Sequence, residues 1–222
     1  RRRSLKSTPD PATPGQHAAT MQGNEPLIVG RRVLLRHPVE ADRDEFIAAV
    51  RRSRALHRPW VNAPGTAAAF QGWLDRQRDP SFCPLLVCER ASAAIAGVFN
   101  LSQIVRGPFC NAYLGYYALA GHERQGLMHD GLRLVLRHAF GPLHLHRVEA
   151  NIQPGNLPSI ALVRSCGFEL EGYSPRYLKI GGRWRDHERW AALADRGPHA
   201  PHGAAGQPRG SAVTRQGDRG PT

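Results

Sequence analysis

The sequence predicts an α/β fold of the α+β kind, a mixed sheet with helices packed on it. Three observations carry that reading. Between residues 27 and 196 the apolar spacing switches repeatedly between the two-residue rhythm of strands and the 3.6-residue rhythm of helices. The resulting order, β-α-α-β-β-β-α-β-α-β-β, mixes direct strand-to-strand turns with helical crossovers. The two ends, 1–26 and 197–222, are rich in Pro, Gly, Ser, Ala and Gln and poor in large apolar residues. They read as a disordered N-terminal extension and a disordered C-terminal tail around a single domain at 27–196.

The elements follow in order. "RRVLLRHP" (31–38) is a short strand stopped by Pro38. Residues 39–54 form a helix with acids in its first turn and arginines in its last, which suits the helix dipole. Its apolar face is Phe46, Ile47 and Val50. Residues 67–78 form a second, shorter helix. Strands at 84–90 and 93–104 are joined by a tight turn, and 111–120 is a third strand of the same kind. A helix begins at Gly126 and runs to residue 140. Met128, Leu132, Val135, Leu136 and Ala139 line one of its faces. Residues 146–152 are a strand, and 157–166 a short helix that ends at Gly167. The last two strands meet at a Gly-Gly hairpin, Gly181-Gly182.

Composition bounds the function. The net charge is +12, and most of the excess lies within residues 31–196. A basic balance favours anionic partners such as phosphorylated cofactors, nucleic acid or ribosomes, unless the arginines are only solvated surface. No apolar run approaches the ~20 residues of a membrane span. The basic N-terminus has no apolar segment behind it, so it does not read as a secretory signal. Met21, just before the first patterned segment, is a candidate start of translation. Cys83, Cys88, Cys110 and Cys166 show no C-x-x-C spacing and read as free thiols of a cytoplasmic protein. Cys166 reads as buried helix filling. His138, His144 and His146 cluster in sequence, but no nearby carboxylate or cysteine completes a metal site, so no metal is expected.

Two places can carry chemistry. At "AGHERQG" (120–126) a strand ends, a short loop follows and a helix starts. The unsatisfied N–H groups there suit phosphate, Gly126 allows close approach, and Arg124 adds a cation. The pattern is neither G-x-G-x-x-G nor a Walker loop. The second place is "NLPS", where Asn156 can cap the helix through Pro158 and bring the Ser159 hydroxyl to its end. Taken alone, each also fits an ordinary helix start.

Together, "NAYLGYYALAGHERQGLMHDGL" and "HRVEANIQPGNLPSIALVRSCGFELEGYSPRYLKIGGRWRDHERW" resemble the GNAT N-acetyltransferase superfamily. They are most similar to its RimJ/RimL-type branch, which acetylates ribosomal-protein N-termini. The resemblance covers about residues 27–193 and implies a GNAT fold: a mixed, mostly antiparallel sheet with flanking helices and splayed central strands. It also implies acetyl-CoA as co-substrate. On the family's pyrophosphate loop, Q/R-x-x-G-x-G/A, fall Glu123, Arg124, Gln125, Gly126, Leu127 and Met128. Glu123 and Met128 depart from the pattern, and Glu123 brings a carboxylate near phosphates. The strand at Tyr116, Tyr117 and Ala118 would offer backbone groups to the pantetheine arm and an N–H to the thioester carbonyl. Asn156 and Ser159 would contact the cofactor arm, with Ser159 as general acid to the leaving thiolate. Glu149 is the candidate general base, unless it faces solvent or pairs with an arginine.

The resemblance implies transfer to a primary amine, foremost the N-terminal α-amino group of a ribosomal protein. A small amine or an aminoglycoside-like drug is the alternative acceptor. A non-catalytic ribosome- or RNA-associated module, with weak RNA binding, is a second alternative. Acceptor choice would lie in segment 55–80 and the last hairpin, which offer Trp60, Tyr177, Trp184 and Asp186. Monomer and homodimer are both compatible with the sequence.

Overall fold

Eight strands form one sheet in the order β1-β2-β3-β4-β5-β6-β8-β7 in a computed structural model, which describes residues 25–195. The strands are β1 (Ile28–Val29), β2 (Val33–Arg36), β3 (Cys83–Glu89), β4 (Ile95–Val105), β5 (Asn111–Ala118), β6 (Arg147–Ile152), β7 (Glu169–Ile180) and β8 (Arg183–Leu193). The helices are α1 (Arg43–Arg52), α2 (Arg54–His57), α3 (Ala67–Asp75), α4 (Leu127–Phe140) and α5 (Leu157–Ser165). Every neighbouring pair is antiparallel except β5 with β6. The expected tails, and Met21 within the first, lie outside the described residues apart from Glu25 and Pro26.

Patterning explains the layers. β3 is an apolar run, "CPLLVC", buried on both faces. β6 alternates, with Val148, Ala150 and Ile152 buried on one side. One core packs α4 and α5 on one sheet face through Leu132, Val135, Ala139, Val163 and Trp190. A second packs α1 and α3 on the other face through Phe46, Phe70, Trp73, Val98 and Tyr117. Phe46 stacks on Trp73 at 5.0 Å between ring centroids. At the β7–β8 turn, Gly181 and Gly182 both take positive φ, +57° and +79°, as a two-residue hairpin of this twist requires.

The helix expected over 39–54 is divided. A 3₁₀ turn (Glu40–Asp42) leads into α1, and the chain breaks again at Ser53 before α2. The break has a specific cause. The buried Ser53 hydroxyl donates to Ala49 O (2.7 Å) and accepts from Ala120 N–H (2.8 Å), just past the end of β5. The helical layer is thereby pinned to the strand that carries the site. The second helix is also shorter than expected, because 76–78 tighten into a 3₁₀ turn.

The same layer is anchored at its start by Arg36 and Asp42. Their side chains are about nine-tenths buried and bidentate, at 2.8 and 2.7 Å. Asp42 also accepts the Val39 N–H at 2.8 Å. Removing one partner strands the other charge in the interior. Asp42→Ala is therefore expected to lower unfolding free energy by about 3–5 kcal/mol in urea titrations. The double variant Arg36→Met/Asp42→Leu, which leaves no lone charge, is expected to recover most of that loss.

Candidate active site

β5 and β6 run parallel and pair at only three registers, Asn111↔Arg147, Ala112↔Val148 and Tyr113↔Glu149. Beyond these they part, while each keeps its outer partner: β5 pairs with β4 as far as Ala118↔Gly97, and β6 with β8 as far as Ile152↔Glu188. Hydrogen-bond parity fixes which groups face the gap. Leu119 N–H bonds Ala96 O, so Tyr117 and Gly115 turn their main chains to β4. Leu114, Tyr116 and Ala118 turn theirs to the gap. By the same rule, Ala194 N–H on His146 O turns Asn151 toward the gap from the other side. The gap opens into a cleft of about 690 Å³ lined by β5, β6, α5, the start of α4 and the α2 region.

At one end lies the 121–126 loop. Arg124 (φ +59°) and Gly126 (φ +75°) are both left-handed, which gathers successive N–H groups into a concavity suited to anions. Gly126 is the N-cap of α4 and offers no capping side chain, so the first N–H groups of the helix stay unsatisfied. The Glu123 carboxylate turns back on its own loop, and hydrogen bonds from its own N–H and from Gly121 N–H (2.8 Å) hold its pKa below the usual value. The carboxylate is thus occupied within its own loop. Sequence reasoning missed Arg32, which reaches the loop from the β1–β2 turn. It donates to Gln125 O (2.8 Å) and pairs with Asp130 (2.7 Å). No local pattern marks it, because its partners lie 93 and 98 residues away. Met128 is half-buried, and its sulfur lies where a β-carbon on Gly97 would stand, so the glycine is what admits it.

On the opposite lip, Asn156 caps α5 by accepting Ser159 N–H at 3.4 Å, with Pro158 in the first turn as expected. Ser159 lines the cleft, and its side chain is within hydrogen-bonding reach of the Tyr116 hydroxyl. The Tyr116 hydroxyl crosses the gap and donates to Ser159 O at 3.0 Å. Burial pushes its pKa up, so it stays a phenol. Tyr117 lies on the α1–α3 face with its hydroxyl buried and without a partner among the described residues. His57, edge-on to Tyr117 at 5.0 Å, donates Nε2–H to Ala118 O at 2.8 Å. The gap-facing carbonyl of Ala118 is thus occupied, while its N–H faces the gap by strand parity. Trp60 rests on the turn before α5, its ring 3.3 Å from where a Gly155 β-carbon would be.

Glu149 sits at the last paired register. Its Oε1 is 2.7 Å from Arg147 Nε, and Arg147 also binds Glu171. Glu149 does not line the cleft. Cys166 is buried at the end of α5, and burial pushes its thiol up to about 11. Among the described residues no three His, Cys, Asp or Glu side chains gather as metal ligands.

Residues 32–169 match the acetyltransferase (GNAT) domain family. The chain is 39% identical over 99 residues to a probable N-acetyltransferase YjcK of Bacillus subtilis, covering 45% of this chain and 55% of that one. It is 44% identical over 93 residues to the [ribosomal protein uS5]-alanine N-acetyltransferase of Escherichia coli, covering 42% and 48%. The chain thus spans about half the length of the curated relatives it matches. Its fold is similar to that of Mycobacterium smegmatis RimJ in complex with CoA-disulfide, with TM-score 0.70 and 24% identity over 76% of this chain and 85% of that one.

A side chain at position 126 must adopt φ near +75° and meets Arg32, whose Nη2 lies 2.8 Å from the β-carbon position. Gly126→Asp adds a carboxylate among the free N–H groups. Backbone strain alone is about 1–3 kcal/mol. Calorimetry is expected to show coenzyme A binding weakened by about 10- to 100-fold or more.

Proposed function

We propose that this chain, which belongs to the acetyltransferase (GNAT) family, transfers an acetyl group from acetyl-CoA to a primary amine, the N-terminal α-amino group of a ribosomal protein. The observation that carries the reading is the parting of β5 from β6, with an anion-suited helix start at one end and Ser159 lining the far lip. The acceptor is suggested by the E. coli relative, a [ribosomal protein uS5]-alanine N-acetyltransferase.

In this reading the N–H groups at Gly126, Leu127 and Met128 bind the pyrophosphate, with Arg124 and Arg32 adding charge. Gap-facing groups of Tyr116 and Ala118 bind the pantetheine arm as an added strand would, and one of their N–H groups stabilises the oxyanion on the thioester carbonyl. Asn156 holds α5 in place beside the arm. The amine nitrogen bonds to the acetyl carbon, and the carbon–sulfur bond breaks with its electrons on sulfur. Ser159 gives its proton to that thiolate and regains one from solvent. Tyr116, tied to Ser159 O, positions this serine rather than acting on sulfur itself.

Acetylation of an N-terminal peptide library, read by mass spectrometry, tests the acceptor. Acetylated α-amino termini with a preference for one leading sequence are expected; turnover of small amines without any peptide product would overturn the acceptor assignment. Ser159→Ala is expected to lower kcat by about 100-fold, the low end for a general acid, with acetyl-CoA affinity within about twofold. An unchanged kcat would remove Ser159 from the chemistry.

A further inference from the structure

We propose that His187 is the general base, its Nε2 taking the proton from the attacking amine on the α1–α3 face of the sheet. This inference rests on the acetyl-transfer reading above and assigns the half of the reaction that Ser159 does not perform.

His187 is only 3% exposed, yet it lines the cleft. Its Nδ1 lies 3.0 Å from Arg185 O. A carbonyl oxygen only accepts, so Nδ1 carries the hydrogen and the neutral ring leaves its lone pair on Nε2. Nε2 has no partner among the described residues. Burial lowers the ring's pKa from its ordinary 6.5, so the ring is neutral and able to accept a proton at pH 7.

Position supports the role. On β8, Trp190 and Ala192 face the α4–α5 core, so strand alternation puts His187 on the opposite face. Leu56, His57 and Trp60 border the cleft on that side. Ser159 stands with α5 on the other face. The proton acceptor and the proton donor thus flank the gap from opposite faces, so the proton leaving the amine and the proton reaching sulfur are handled by separate groups. Asn151 shares the His187 face and pairs with Arg189, two residues away. Its Oδ1 is buried in the cleft lining without a partner among the described residues, a ready acceptor for a second amine N–H.

The other candidates are committed elsewhere. His57 spends Nε2–H on Ala118 O. His122 and His129 belong to the loop and first turn of α4, at the phosphate end. Glu149 is held by Arg147. The balance is simple: the amine loses one proton to Nε2, sulfur gains one from Ser159, and solvent carries a proton from the imidazolium back toward the serine.

The charged and titratable groups around the ring are Tyr177 on β7, with ring centroids 6.1 Å apart, and Asp186 and Arg185 on β8. Asp186 is occupied by Tyr173 and Arg176 N–H. Activity needs the neutral ring and falls as pH drops through its pKa. The kcat limb should therefore lie below pH 6.5, apart from the limb of a free α-amino group near about 8.

The test uses His187→Asn, whose amide can still donate to Arg185 O but offers no basic nitrogen. The full chain is assayed with acetyl-CoA and its best peptide. A loss in kcat of about 100-fold or more is expected, with acetyl-CoA affinity within about twofold and the acid limb gone. Added imidazole should restore part of the rate in His187→Gly, a rescue that a purely structural histidine would not show. Activity of His187→Asn within threefold of the parent, or an acid limb removed by Glu149→Gln instead, would overturn the assignment. If the parent chain neither binds acetyl-CoA nor transfers acetyl, the underlying reading fails rather than this one.

Discussion

Three registers of parallel pairing, and then none, is the constraint on which the molecule is built. β5 and β6 begin as ordinary neighbours and separate after Tyr113 and Glu149. Neither strand frays, because β4 holds one and β8 holds the other. The main-chain groups of Tyr116 and Asn151 and the N–H of Ala118 that face the gap therefore have no strand to bond; only the Ala118 carbonyl is taken, by His57. Such groups are costly to leave dry, which gives any extended ligand with amide groups a favourable place to lie.

The gap also separates two chemical environments. On the α4–α5 side, a glycine-capped helix start and Arg124 make a positive end; the Asp130 carboxylate there is paired with Arg32, and Glu123 is turned back onto its own loop. On the α1–α3 side the lining is aromatic and imidazole-rich, with His57, Trp60, Tyr117 and His187. A polyanionic chain suits the first side and a neutral amine suits the second. The Ser53 bridge and the Arg36–Asp42 pair keep the second side in register with the strand it serves.

Much of this was legible in local spacing. The α4 periodicity, Gly126, the Asn156 cap, Pro158 and the Gly-Gly hairpin each depend on residues within a few positions of one another, and each appears where the pattern placed it. β1 escaped because two residues carry no periodicity. The undivided helix at 39–54 failed at Ser53, whose second bond goes to a residue 67 positions away. Arg32, His57 and His187 escaped for the same reason: each takes its place from tertiary neighbours, and single Arg or His residues in a basic chain leave no local trace. The Arg147–Glu149 pairing was half visible, since residues two apart on a strand share a face, but the bond to Glu171 needed the β7 fold-back.

Tyr116 carries a mechanical implication. A phenol ring is rigid along its length, and here it spans from β5 to the first turn of α5. The two lips are thus separated by a strut of fixed size rather than by a spring. Lateral squeezing of the slot would drive the ring into Ser159, and widening it would break the bond. A slot gauged in this way resists a change of width at the cost of that one bond. The open flank differs from the slot: there Trp60 leans on Gly155, and the wall is made of side chains instead of paired backbone.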